Sequence, residues 1–109
     1  MKLQVRNTIN VNGKEWDFGK AILDAAMIDD KVIVIFDYME YPKNSCARNL
    51  VAYDLSQNEL WVAENPTTQS NDAYVSITNE HPLTANNFSS HSCQIDLDTG
   101  KLINAAFYK

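Results

Sequence analysis

The stretch that decides the fold is NLVAYDLSQNELWVAE, residues Asn49–Glu64. An apolar segment ends at Tyr53, a polar segment covers Asp54–Asn58, and a second apolar segment carries Trp61 and Val62. Short apolar runs separated by a polar turn of this length are typical of two antiparallel strands. The stretch therefore predicts a β-hairpin.

The same pattern recurs near the end of the chain. Cys93–Ile103, CQIDLDTGKLI, lies over Val51–Trp61 at a constant offset of 42 residues, which places Asp96 over Asp54. The segment INVNGKEW, which ends at Trp16, is a weaker third copy. A hairpin that is repeated about every 40–45 residues is typical of β-propeller blades.

Two and a half copies are too few to close a propeller, which needs about four to eight blades. We therefore expect an all-β protein that forms a single domain over residues 1–109. In this domain, antiparallel sheets with blade-like hairpins pack face to face as a small sandwich. Closure of a ring by several chains is the alternative. Trp16 and Trp61, at equivalent places in the repeat, are expected in the core.

The remaining strands are predicted from local patterns. Leu3–Ile9 alternates apolar and polar residues, and the Asn-Gly pair at 12–13 is typical of a tight hairpin turn. Val32–Phe36 is apolar throughout, which predicts a central strand covered on both faces. Ala73–Thr78 alternates again and predicts a half-buried strand, with Tyr74 on its polar side.

The segment Ala21–Met27, AILDAAM, is open to two interpretations. Alanine and leucine favour a helix, but Asp29 and Asp30 form a turn signal that leads directly into a β-branched run. We favour a strand here, which leaves at most one short helix in the protein.

The composition indicates a globular protein. Of the 109 residues, 45% are apolar and 21% are charged, which excludes a disordered chain. No apolar run is long enough to cross a bilayer, and no secretory signal begins the sequence. The two cysteines, Cys46 and Cys93, have no metal or redox spacing, so we expect a reduced cytoplasmic protein without a cofactor.

The charges are unevenly distributed along the chain. The net charge is −5, and residues 49–100 contain no lysine or arginine. Such a segment is unsuited to bind nucleic-acid phosphates, whereas it attracts a basic protein. Its seven acidic residues are Asp54, Glu59, Glu64, Asp72, Glu80, Asp96 and Asp98. An ordinary acidic, soluble surface is the alternative explanation.

The loop Asp37–Arg48, DYMEYPKNSCAR, concentrates aromatic and acidic side chains. Long loops of this kind within a compact domain are often functional. Aromatic rings next to carboxylates are typical of surfaces that bind a basic protein. The residues predicted to contact a partner are Asp37, Tyr38, Glu40, Tyr41, Glu64, Asp72, Tyr74 and Glu80.

A small enzyme is the competing hypothesis. His81 or His91 with a neighbouring acid would supply general acid–base chemistry for a hydrolase. However, the sequence has no nucleophile motif, no phosphate-binding glycine loop and no metal-binding helix motif. We therefore predict no catalytic, cofactor-binding or metal-binding residue.

The two repeated hairpins resemble the blades of PQQ-type β-propellers. Asp96, Thr99, Gly100 and Lys101 fit the Asp-x-x-Thr-Gly-Lys turn of those blades, while the first hairpin has Gln57-Asn58 where a glycine is usual. The resemblance covers about half of the chain. It implies the fold of the hairpins and does not extend to the quinone cofactor.

The whole chain resembles stand-alone bacterial immunity proteins of polymorphic toxin and contact-dependent inhibition systems. The resemblance rests on small size, acidic charge and β architecture. It implies an inhibitor that binds a cationic toxin domain, in many cases an RNase or a DNase, and occludes its active site.

Overall fold

The structure, a computed structural model, describes residues 1–67 and 72–107. Within these residues the chain is all-β, with ten strands and one short 3₁₀ helix, Tyr38–Glu40. The strands are β1 Ile9–Val11, β2 Lys14–Trp16, β3 Ile22–Ile28, β4 Lys31–Phe36, β5 Leu50–Tyr53, β6 Glu59–Val62, β7 Tyr74–Glu80, β8 Leu83–Asn87, β9 His91–Ile95 and β10 Leu102–Phe107. No helix of the described residues has the length and hydrophobicity needed to cross a membrane.

The strands form three antiparallel sheets. Strands β1 and β2 make the N-terminal hairpin, β3–β6 make the first sheet and β7–β10 make the second sheet. Both four-stranded sheets connect their strands in simple sequence order, and each contains one of the two repeated hairpins as its last two strands. The predicted all-β fold with blade-like hairpins is confirmed, and no ring is closed.

The first sheet lies between two hydrophobic cores. On one side, the N-terminal hairpin packs Trp16 and its neighbours against Val34 and Val51. On the other side, Ile33 and Ile35 pack against the second sheet. Strand β4 is therefore buried on both faces, as its uninterrupted apolar sequence predicts.

The two four-stranded sheets stack front to back, as neighbouring blades do. Val51 in the first sheet and Cys93 in the second correspond in the sequence repeat. Val51 faces the N-terminal hairpin, whereas Cys93 faces the first sheet. Corresponding faces thus point the same way, and the back face of the second sheet is turned towards solvent. Its half-buried polar residues include Thr84, Asn86, Ser92 and Gln94.

Several local predictions are confirmed. The Asn-Gly pair at 12–13 has positive φ angles of 52° and 84° and joins β1 to β2. The ambiguous segment Ala21–Met27 falls almost wholly in strand β3, and Asp29, with φ of 57°, turns it into β4. Pairing along the whole length of β4 outweighs the helix preference of the alanines.

Two predictions about strands are wrong. Leu3–Ile9 is not a regular strand: the pairing of the N-terminal segment with the edge of β3 is confined to an isolated bridge between Lys2 and Ala26, and β1 begins at Ile9. In β7 the expected alternation fails, and Tyr74 points into the core, where none of its surface is exposed. Irregular register on both sides of Ile77 explains this, because a β-bulge inverts the phase of the residues beyond it.

Side chains from the first half of the chain hold β7 in place. The Asn49 amide nitrogen donates to Phe36 O (2.8 Å) and Tyr74 O (2.9 Å), and its Oδ1 accepts from Tyr74 N (2.9 Å). Farther along the strand, Asp24 Oδ2 accepts from Ile77 N (2.8 Å). Because these residues satisfy backbone groups at the edge of β7, they join the two sheets.

Candidate protein-binding site

The 3₁₀ helix and its flanking residues form a rigid loop at the end of β4. The Asp37 carboxylate accepts a hydrogen bond from Met39 N (2.9 Å), and the backbone of Asp37 donates to Ala21 O (2.9 Å). Glu40 Oε2 accepts from Ala21 N (3.3 Å). The Glu40 side chain and the Asp37 backbone thus anchor the loop to the residue before β3, and the Asp37 side chain caps the 3₁₀ helix, so a partner would meet a pre-ordered surface.

An exposed hydrophobic ridge crosses this loop. It consists of Tyr38, Met39 and Phe88, which are 38%, 68% and 47% exposed. The rings of Tyr38 and Phe88 pack edge to face, with centroids 4.6 Å apart. Phe88 is held by a backbone hydrogen bond to Ala73 O (3.1 Å). Clustered exposed aromatic and methionine side chains are typical of protein-binding surfaces.

A groove with a volume of about 580 Å³ runs beside the hydrophobic ridge. Its walls are largely aromatic and aliphatic, with Lys43 as the lining cation and Asp72 as the lining acid. The lining residues are Tyr38, Met39, Tyr41, Pro42, Lys43, Ser45, Ala47, Asp72, Ala73 and Phe88.

Asp72 is a buried carboxylate in this groove, with 2% of its surface exposed. Thr67 Oγ1 donates to its Oδ2 (2.7 Å), and Asn87 Nδ2 (2.8 Å) and Ser89 Oγ (3.4 Å) donate to its Oδ1. These donors are uncharged. The ion pairs between described residues do not include Asp72. The negative charge of Asp72 is therefore hydrogen-bonded but is not neutralised within the described part of the chain.

The polar cluster around Ser89 bears on the hydrolase hypothesis. His91 Nδ1 lies 2.9 Å from Ser89 Oγ, and Asn87 Nδ2 donates to the same oxygen (2.8 Å). When the serine hydroxyl donates to Asp72, its two lone pairs accept from Asn87 and from His91 in the tautomer that carries its hydrogen on Nδ1. In this arrangement the hydroxyl is fully used, and the serine lies between acid and histidine. A nucleophilic triad instead has the histidine in the middle.

The other candidate acid–base group is at the opposite end of β7. His81 Nε2 lies 3.2 Å from Asp29 Oδ1, and both side chains are well exposed. The described residues contain no cluster of three or more potential metal ligands. A hydrolase that uses His81 or His91 stays a prediction, which a broad substrate screen with the purified protein would test.

The two cysteines are free thiols. Burial, and to a lesser degree Asp72, raises the pKa of Cys46 against smaller opposing effects of Asn65 and Arg48. Burial raises the pKa of Cys93 to about 11. Both thiols are therefore poorly ionised at neutral pH, which disfavours nucleophilic catalysis by cysteine.

The structure brings together some of the predicted contact residues. Asp37, Tyr38 and Glu40 belong to the loop, and Tyr38 is exposed. Tyr41 is half-buried because it packs against the core between the first sheet and the N-terminal hairpin, and Lys20 Nζ lies 5.3 Å from its ring centroid. Burial, followed by Glu40 and Glu59, raises the pKa of Tyr41. Tyr41 therefore anchors the end of the loop to this core.

The other predicted contact residues lie outside the loop. Tyr74 and Asp72 were expected at the surface, but both are buried, and the Tyr74 hydroxyl donates to the backbone carbonyl of Glu64. Glu64 Oε1 accepts from Leu102 N (2.8 Å) at the start of β10. Glu80 pairs with the amino group of Met1 at the far end of β7, about 20 Å from Ala73 by the rise of a strand. Of the predicted contact residues, Asp37, Tyr38 and Glu40 thus lie on the loop, and Asp72 lines the adjacent groove.

Sequence reasoning missed Phe88. This phenylalanine stands in the polar stretch 86–90, and an aromatic residue in a polar connection is the signal that would have identified it. Its partner Tyr38 is 50 residues away in the sequence, so the hydrophobic ridge exists only because β7 and β8 pack next to the loop.

The charge separation along the sequence is not preserved on the surface. Lys31 Nζ pairs with Asp98 (3.5 Å), Arg48 donates to Val62 O (3.3 Å), and Lys2 donates to Ile77 O (3.2 Å). Basic side chains from the first 48 residues thus contact residues of the segment 49–100, which has no basic residue of its own. Any attraction of the protein to a basic partner would therefore come from particular carboxylates rather than from a uniformly acidic half.

Comparison with known proteins gives a family but no activity. Residues 2–107 match the family described as Domain of unknown function (DUF7957). No curated protein and no solved structure matches the chain.

Proposed function

The chain belongs to the DUF7957 family, and we propose that it is an immunity protein that binds and neutralises a cationic toxin domain. The observation that carries this proposal is the hydrophobic ridge on a pre-ordered acidic loop. Tyr38, Met39 and Phe88 offer apolar area to a partner, while Asp37 and Glu40 flank it with negative charge. The cytoplasmic setting is part of the same proposal.

A nuclease is the class of toxin that this surface suits best. The active sites of RNases and DNases use lysine and arginine to hold phosphates. Carboxylates on a rigid loop can take the place of those phosphates, and the adjacent rings exclude water from the contact. Inhibition would follow from occlusion of the site, without any reaction catalysed by the immunity protein.

The test uses neutral variants that keep the loop folded. Asp37 and Glu40 accept backbone hydrogen bonds, so Asp37→Asn with Glu40→Gln removes both charges but retains carbonyl acceptors. The partner is the toxin encoded by the adjacent reading frame. We expect the double variant to bind this toxin about tenfold or more weakly, because charge attraction across the interface is lost. Isothermal titration calorimetry at low and high salt measures the change.

A matched control is available at the opposite end of β4. Asp30 and Asp98 have side chains that are 81% and 84% exposed and lie near Lys31. Replacing both with asparagine removes the same charge about 20 Å from the loop. The proposal requires the control to retain most of the affinity. If the loop variant binds the toxin as tightly as the parent protein, the contact surface is not at the loop.

An oligomeric scaffold is the second candidate function, and strand β10 favours it. Among the described strands, β10 is an edge of the second sheet. Ile103 and Phe107 are 57% and 68% exposed, and Leu102–Phe107 contains no charged residue. Uncharged, apolar edge strands pair readily with another chain. Light scattering after gel filtration gives the mass in solution. A monomer at high concentration would remove this candidate, and an oligomer dissolved by Ile103→Lys would support it.

A further inference from the structure

We propose that the groove beside the hydrophobic ridge takes an arginine side chain of the partner, with the guanidinium next to Asp72. This inference rests on the proposed function for the identity of the partner. It goes further in naming the chemical group that is recognised and the buried acid that recognises it.

The charge of Asp72 is the first reason. A carboxylate that is 2% exposed and held by uncharged donors is a costly group to bury unless a cation approaches it. Each carboxylate oxygen accepts about two hydrogen bonds. Among the described residues, Thr67 is the donor to Oδ2, so this oxygen has room for a second donor.

The walls of the groove are the second reason. Tyr38 and Phe88 present aromatic surfaces to it, and Met39 adds a polarisable side chain. Lys43 also lines the groove but is exposed, so solvent screens its repulsion of a second cation. Aromatic faces attract cations. The chain already shows this on a neighbouring site, where Lys20 Nζ lies 4.7 Å from the Phe36 ring centroid and 5.3 Å from that of Tyr41.

Arginine suits these walls better than lysine does. A guanidinium is planar, so it stacks on an aromatic ring while its edge donates to a carboxylate. Lysine is a compact, strongly hydrated charge that loses more hydration on entering an apolar groove. The aliphatic stem of an arginine would lie along the exposed ridge, which is the side from which a partner surface approaches.

The experiment uses small probes and does not require the toxin. The probe is N-acetyl-arginine methylamide, titrated into the ¹⁵N-labelled full chain and followed by NMR. The neutral isostere N-acetyl-citrulline methylamide is the control ligand, and the lysine analogue tests the choice of cation. We expect chemical-shift changes around Tyr38, Ala73 and Phe88 with the arginine probe, and at least tenfold weaker binding of the other two probes.

Protein variants locate the binding site. Phe88→Ala removes an exposed wall, and Asp72→Asn removes the charge; each should weaken binding of the arginine probe at least tenfold. Asp72→Asn also changes the group that accepts from Thr67, Asn87 and Ser89. Ser45→Trp is therefore a second test of the site, because it fills the groove from an exposed position and leaves Asp72 unchanged. Asp98→Asn is the remote control and should bind like the parent protein.

The outcomes separate this inference from the proposed function. Equal binding of arginine and citrulline probes, equal binding of the lysine probe, or shift changes away from the groove would overturn it. If the arginine probe fails to bind while the toxin still depends on Asp37 and Glu40, the groove assignment falls and the immunity function stands. If the probe binds the groove but the toxin is not inhibited, the immunity function falls.

Discussion

The first and second sheets have the same strand order but differ in how their faces are covered. The first sheet is covered on both faces, by the N-terminal hairpin and by the second sheet, whereas the second sheet is covered on one face. The strand pairings within each sheet, together with the sequence repeat, show which back-face positions of the two sheets are equivalent. Ile33, Ile35, Leu50 and Ala52 of the first sheet correspond to Thr84, Asn86, Ser92 and Gln94 of the second.

This difference shows how a stack of blade-like sheets can stop without closing a ring. Where another sheet covers the back face, its residues are apolar and buried; where none does, the corresponding residues are polar and half-exposed. Terminal units of repeat proteins are capped by a polar outer face for the same reason. At the other end, Trp16 and its hairpin cover the front face of the first sheet.

The largest expected effect comes from exchanging residues between the two back faces. Ile35→Asn places in the first sheet the residue that Asn86 supplies in the second, and should destabilise the protein by about 5 kcal/mol, because it loses a buried side chain and buries an amide. The reciprocal Asn86→Ile should cost less, about 1–2 kcal/mol, since position 86 is half-exposed and the main loss is the hydrogen bond that Asn86 Oδ1 accepts from Ser76 Oγ (2.5 Å). Urea unfolding measures both. Comparable losses in the two variants would contradict the comparison.

The next effect concerns the link between the sheets. Asn49→Leu should destabilise the protein by about 3 kcal/mol, because it removes three buried hydrogen bonds and leaves backbone groups of Phe36 and Tyr74 without them. Hydrogen exchange should show faster exchange of the Tyr74 amide than in the parent protein. Asn7→Leu, at an exposed position before β1, is the control. Unchanged exchange at Tyr74 would mean that packing alone joins the sheets.

The two repeated hairpins differ in their turns, which gives a smaller effect. Gly100 has φ of 76°, and a Cβ atom there would lie 2.5 Å from the Trp61 ring, so Gly100→Ala should destabilise the protein by about 2 kcal/mol or more. In the first hairpin, Gln57 takes the left-handed conformation, with φ of 67°. Gln57→Gly should stabilise slightly, by less than about 1 kcal/mol. Thermal unfolding compares the two, and equal tolerance of both changes would refute this assignment.

The smallest effect is on the reactivity of the two thiols. It compares Cys93, which is buried between the sheets, with Cys46, which is partly exposed. The pKa of Cys46 is raised and that of Cys93 is raised to about 11, so near pH 8 both thiols are less ionised than a free cysteine. Folded protein should therefore react with iodoacetamide more slowly than unfolded protein, with Cys46 ahead of the fully buried Cys93. The rate at Cys46 should rise with pH. Mass spectrometry of each site follows the reaction, and a fast Cys93 would indicate frequent opening of the sheets.

Local sequence was sufficient for the hairpins. Asp54 accepts hydrogen bonds from Ser56 N and Asn58 N (both 2.9 Å), and Asp96 accepts one from Asp98 N (2.8 Å). These hydrogen bonds join residues two to four positions apart, so they depend on the turn sequence alone. The repeated hairpin could therefore be predicted from the sequence. The apolar run of β4 likewise indicated burial on both faces.

The candidate site was only partly accessible to such reasoning. The sequence indicated the loop and its carboxylates, because acidic and aromatic residues cluster there. It did not indicate that Tyr74 is buried, because a bulge shifts the phase of β7 in a way that no local pattern shows. Nor did it indicate the burial of Asp72 or the pairing of Tyr38 with Phe88, since both depend on residues that are distant in the chain.

The sequence by itself determined the strands, the tight turns and the repeated hairpin, because these depend on backbone conformation and on hydrogen bonds between near neighbours. Tertiary structure decided which face of each sheet is covered, how the groove forms around Asp72 and which aromatic rings meet at its edge. Those features arise when the second sheet packs on the first and Asn49 secures β7. Packing between distant segments depends on three-dimensional complementarity, and a one-dimensional pattern of hydrophobicity does not encode it.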